Sequence, residues 1–143
     1  MQMKKKIVYI AHSIGGDVEN NLKDLVRILR VINTNNCPVK PLKFDMNYAN
    51  NQDFIDGQIT ISTDFYDFSN IIPIAPYYAD ILALDDSNPL ERKRGIENDI
   101  ALIETGVFDE LWLTGSKISL GMQEEIKMFI LQGKPVIDYT NKI

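Results

Sequence analysis

One cysteine and one histidine, Cys37 and His12, occur in 143 residues. A disulfide within the chain is therefore excluded, and a zinc centre of the Cys/His type lacks ligands. A lone thiol suits a reducing compartment, so a cytoplasmic setting is expected. Cations are also short: 15 Lys and Arg stand against 20 Asp and Glu, for a formal charge of -5. That balance argues against a nucleic-acid backbone or an anionic membrane surface as the partner. Long apolar runs are missing as well. The run that follows the basic residues 4–6 ends by Ala11, with Gly15 and Gly16 close behind, so neither a signal peptide nor a transmembrane helix is expected there. Those glycines do not spell G-x-G-x-x-G, and the dinucleotide fingerprint fails.

What is present is an ordinary globular composition, 45% hydrophobic, in a length suited to one domain spanning 1–143. Residues 6–11 form a continuous apolar run between lysines and a glycine turn, as in a central parallel strand buried on both faces. Val18, Leu22, Leu25, Val26, Leu29 and Ile32 recur at helical spacing behind Asp17, which can cap the helix. Residues 40–69 are the least legible stretch and read as an insertion, with a short strand or half a hairpin at 57–62. Strand character returns at 70–76, and residues 77–84 suit a helical turn or two. Ile96, Ile100 and Ile103 mark an amphipathic helix that ends at Gly106, before a strand at 108–114. Ile126, Phe129 and Ile130 mark the next helix, which stops at residues 132–135 ahead of a strand at 136–139. This alternation predicts an α/β three-layer sandwich, Rossmann- or flavodoxin-like, with a mostly parallel sheet of about five strands. Residues 6–11, 71–75, 108–113 and 135–139 should be its aligned parallel strands.

The handover from the strand at 108–114 to the following helix carries the densest chemistry. Ser119 can cap the helix or donate to an oxyanion, since unpaired N–H groups gather where a helix begins at the carboxyl edge of such a sheet. Glu125, one turn in, can project over the same crevice. Glu124 is its neighbour, and because adjacent helical residues diverge by about 100°, the two should not both face inward. His12, at a strand-to-loop junction, suits a structural hydrogen-bonding role as well as a chemical one.

Three stretches share one pattern: Tyr9 four residues before Ser13 of a turn with Gly15 and Gly16; Asp99 in a helix before a strand; and Ser119, Leu120 and Gly121 ahead of Glu125. Together they resemble the nucleoside 2-deoxyribosyltransferase superfamily, most closely its 2'-deoxynucleoside 5'-monophosphate N-glycosidase branch. They are also similar to short phage and bacterial deoxyribosyltransferase-like proteins. The resemblance covers residues 6–35 and 70–140 and leaves 40–69 unexplained. It implies that Glu125 is the nucleophile, that Tyr9 orients it, and that Asp99 donates a proton or binds the sugar. It further implies nucleotide or phosphate contacts by His12, Ser13, Gly15 and Gly16 in the first turn and by Ser119, Gly121 and Met122 in the second.

The arginine that the monophosphate branch carries in its glycine turn is missing from this chain. No metal or organic cofactor is implied. The implied partner is a small-molecule nucleoside or nucleotide, in a bacterial or phage-infected host cytoplasm. A homo-oligomer, dimer or larger, is also implied, with its contact near Met128, Phe129 and Leu131 or near Phe65 and Tyr66. The alternative is a binder of the same fold that sequesters a nucleotide signal without turnover.

Overall fold

A computed structural model describes residues 4–34, 59–61 and 68–143. In chain order the elements are β1 (Lys6–Ala11), α1 (Val18–Thr34), β2 (Ile59–Ile61), β3 (Ile71–Ile74), α2 (Pro76–Ala83), α3 (Pro89–Glu104), β4 (Glu110–Leu113), α4 (Leu120–Leu131) and β5 (Val136–Asp138). Among the described residues all strand pairings are parallel, in the order β2-β5-β4-β1-β3. Four of these strands, β3-β1-β4-β5, stand in the order of a flavodoxin-like sheet. The outer place beyond β5, which a later strand fills in that fold, is taken by the three-residue β2. It falls where residues 57–62 read as a strand. Phe65, Tyr66 and most of the inserted stretch lie outside the described residues.

The strands read as unbroken apolar runs because both faces of the sheet are covered. Tyr9, Ala11, Leu111, Leu113 and Val136 pack on one side with Ile103 of α3 and with Met122, Ile126 and Phe129 of α4. Val8, Ile10 and Trp112 point the other way, onto Leu25, Ile28 and Ile32 of α1. Alternation along each strand thus divides one sequence run between two cores, giving the three layers expected. Asp17 caps α1 as its position suggests, its Oδ1 accepting from the Asn20 amide at 3.3 Å. The end of α4 is a Schellman motif: Gly133, with φ +69°, precedes a Lys134 amide that donates back to the Phe129 carbonyl at 3.0 Å.

Two sequence expectations are corrected here. In α3 only Ile103 of the isoleucine stripe is buried, whereas Ile96 and Ile100 are 51% and 39% exposed. The helix turns its Gly95, Asp99 and Ile103 line inward instead, because the missing side chain at Gly95 lets α2 approach closely. In α4, Phe129 is fully buried within the subunit and so is not available as a subunit contact, while Leu131 is exposed. Among the described residues no helix is long and apolar enough to cross a membrane.

Candidate functional site

Glu125 lies three residues after Met122 and four before Phe129, so it shares their inward face of α4. Glu124 points outward, 74% exposed at the side chain, 3.6 Å from the Lys127 ammonium. Glu125 is half-buried as a residue, and protein surrounds its carboxyl. Burial pushes this carboxyl up to about 7, against a smaller downward pull from the Tyr9 hydroxyl.

Tyr9 approaches from β1. Its ring is fixed by Phe108 at 5.1 Å, Phe129 at 5.9 Å and Tyr77 at 6.0 Å between centroids. Its hydroxyl is buried and has no hydrogen bond of good geometry, although Glu125 is near enough to act on it. Burial first, then the charges of Glu125 and Asp99, push the phenol well above its usual value.

Asp99 comes from the inward line of α3. Its carboxyl is raised to about 8 by burial, then by hydrogen bonding to and the charge of Asp80, and last by Glu125. Tyr77, at the start of α2, donates its hydroxyl to the Ile10 carbonyl at 2.6 Å, and burial together with Glu125 and Asp99 pushes it up as well. The structure therefore brings together Tyr9, Asp99 and Glu125, which the sequence singled out, and adds Tyr77 and Asp80. The signal for Asp80 was present: it stands amid apolar residues, and the helix it meets carries Gly95 and Asp99 one turn apart.

The two turns expected to hold a phosphate leave adjacent strands at the same edge of the sheet, since Ala11 of β1 pairs with Leu113 of β4. His12 is locked beneath the first turn, with Nδ1 2.7 Å from the Ser13 carbonyl and Nε2 2.7 Å from Asp24 Oδ2. Burial works against the Asp24 charge, but hydrogen bonds from His12 and Arg27 outweigh it and hold this carboxyl below its ordinary value. The ring is also pressed against Gly115, whose φ is +85°. A Cβ at Gly115 would stand 2.9 Å from His12 Nε2.

Asn21 Nδ2 bridges the Ile14 and Gly15 carbonyls at 2.9 and 3.3 Å and shapes the rest of the turn. Ser13 is buried, while Gly15 and Gly16 are exposed. In the second turn Ser119 Oγ accepts from the Met122 amide at 3.2 Å, and the Met122 side chain belongs to the core. Met122 thus supports the turn from below, whereas Gly121 is exposed at the helix start. The amides of Gly15, Gly16, Leu120 and Gly121 have no acceptor among the described residues. Among the described residues no group of three His, Cys, Asp or Glu side chains is placed to hold a metal ion.

A parallel α/β sheet with a cluster of carboxyl and tyrosine side chains against one face is thus the class that fold and site define. The chain belongs to the DUF7768 family, described as a domain of unknown function, whose pattern matches residues 44–139. The match takes in Asp80, Asp99, Ser119 and Glu125 and begins after Tyr9 and the glycine turn. It also covers most of the stretch that reads as an insertion. No curated protein and no solved structure matches the chain.

Proposed function

We propose that the protein cleaves or transfers the N-glycosidic bond of a nucleoside or deoxynucleoside, or of its 5'-monophosphate, with Glu125 as nucleophile. The observation that carries this reading is the convergence of Glu125, Asp99 and Tyr9 from three different elements, the carboxyls raised to about 7 and about 8. Near neutral pH such a pair supplies one carboxylate and one carboxylic acid, the division of labour that glycosidic cleavage uses.

A Glu125 oxygen bonds to the anomeric carbon while the C–N electron pair leaves with the base, which takes the Asp99 proton. Water, or a second base, then attacks the same carbon and its proton returns to Asp99. The ester electrons go back to Glu125. Tyr9 orients the nucleophile through its hydroxyl. The exposed amides of Gly15, Gly16 and Gly121, with the Ser13 and Ser119 hydroxyls, suit a 5'-phosphate. His12 holds the turn that presents them.

The same reading places the protein in the cytoplasm as a dimer or larger assembly. Leu120 and Leu131, 80% and 86% exposed at the two ends of α4, leave apolar surface for such a contact. A monomer mass by light scattering at micromolar concentration would count against assembly. For the chemistry, the protein is incubated with a nucleoside and nucleotide panel, and both the supernatant and the denatured protein are analysed. Free base supports the glycosidic reading. Intact nucleotide recovered only on denaturation replaces it with sequestration.

A further inference from the structure

We propose that Asp80 is a positioning residue that shares one proton with Asp99 and so keeps that carboxyl an acid beside Glu125. Its role in catalysis rests on the glycosidic reading above; the proton sharing does not.

The geometry begins at Gly95, buried on α3 one turn before Asp99. A Cβ there would meet Leu84 Cδ1 at 3.4 Å, Asp80 Cβ at 3.6 Å and Asp80 Cγ at 3.9 Å. The glycine thus lets α2 lie close against α3, and it puts the Asp80 carboxyl beside the face of α3 that carries Asp99 one turn on. Two carboxyl groups can hydrogen-bond to each other only through a proton, since each is an acceptor alone when ionised. The groups acting on Asp99 are Asp80 and Tyr77 from α2, Glu125 from α4 and Tyr9 from β1. None of these is a cation, so none of them compensates a second negative charge.

The pair also explains how the acid is restored. Once Asp99 has protonated the leaving base, two adjacent carboxylates remain, and their repulsion favours recapture of the proton from the attacking water.

The test is a side-chain carboxyl carbon-13 NMR titration of the full chain, without substrate, as wild type and as Asp80→Asn. In the wild type one proton should stay on the pair to above neutral pH. In Asp80→Asn the amide can donate to an ionised Asp99, so the Asp99 midpoint should fall by about one pH unit or more. An Asp99 that titrates near 4 in the wild type, the ordinary range, overturns the proposal even if the variant fails to fold. An Asp99 midpoint unchanged by Asp80→Asn overturns it too. Cleavage, where observed, should lose its alkaline limb at a correspondingly lower pH in Asp80→Asn. Shared titration without cleavage of any nucleotide leaves the proton sharing standing and removes the glycosidic reading. Cleavage with an unmoved alkaline limb does the reverse.

Discussion

Glu125 and Glu124 are neighbours in sequence with opposite environments, one facing Tyr9 and surrounded by protein, the other facing water beside Lys127. Glu125→Gln should keep nucleotide binding and abolish glycosidic cleavage, while Glu124→Gln should leave cleavage nearly intact. Binding measured by calorimetry beside cleavage measured by chromatography separates the two roles, because the amide keeps the shape and removes the nucleophile. Loss of cleavage in Glu124→Gln alone would reverse the assignment.

Asp99 gives a second prediction, in stability. Its ordinary value is 3.8 and its folded value about 8, so between those limits the unfolded chain releases a proton that the folded chain keeps. Folding stability must then fall as pH rises through that window, with the cost complete above it. Asp99→Asn removes the cost and should melt above the wild type at pH 8, with the advantage shrinking toward pH 4. Asp99 retains some exposure, so screening leaves only part of the shift as stability, on the order of 1–2 kcal/mol, or a few degrees of melting temperature. Calorimetry at the two pH values measures it; a wild type equal to Asp99→Asn at pH 8 would contradict the raised value.

Among the elements, the legible ones were those whose apolar spacing coincided with their buried face. In α1 and α4 part of the pattern fills the core, Leu25 and Ile32 in the first and Ile126 and Phe129 in the second, while Val18 and Val26 of α1 are left exposed and Ile28, outside the pattern, is buried. In α3 the pattern and the packing part company. Gly95 and Asp99, which hydrophobicity ranks as outward, line the inward face, and Ile96 and Ile100 are left to solvent. Tyr9, Asp99 and Glu125 were identified through their resemblance to a family, but their meeting point depends on that helix rotation. Asp80 was missed because a charge on a short helix reads as surface until the facing glycine is known. The His12–Asp24 pair was missed because it joins a loop to the middle of a helix, 12 residues on.

The close fit of His12 to Gly115 supplies the prediction at this scale. Gly115→Ala adds a methyl group 2.9 Å from His12 Nε2 on a backbone with φ +85°, so both overpacking and backbone strain oppose it. A loss of about 2–4 kcal/mol by urea denaturation is expected. The His12 ring signal should move as its bond to Asp24 is disturbed.

For the whole molecule, the strand order has a consequence for how the chain reaches its fold. Among the described residues β2 pairs with β5 alone, through Ile59↔Val136, Thr60↔Ile137 and Ile61↔Asp138, so residues made early wait for some of the last to leave the ribosome. β1, β3 and β4 can assemble before β5 exists, because their pairings with one another do not involve it. The sheet should therefore zip outward from its middle, and the long loop closing onto β5 should be the slow event. In pulse-labelled hydrogen exchange during refolding, amides of Val8 to Ala11 should gain protection first and those of residues 59–61 last. Until β5 docks, the outer edge of β4 is an open template for another nascent chain, which makes crowded synthesis the condition under which this protein is most exposed to aggregation.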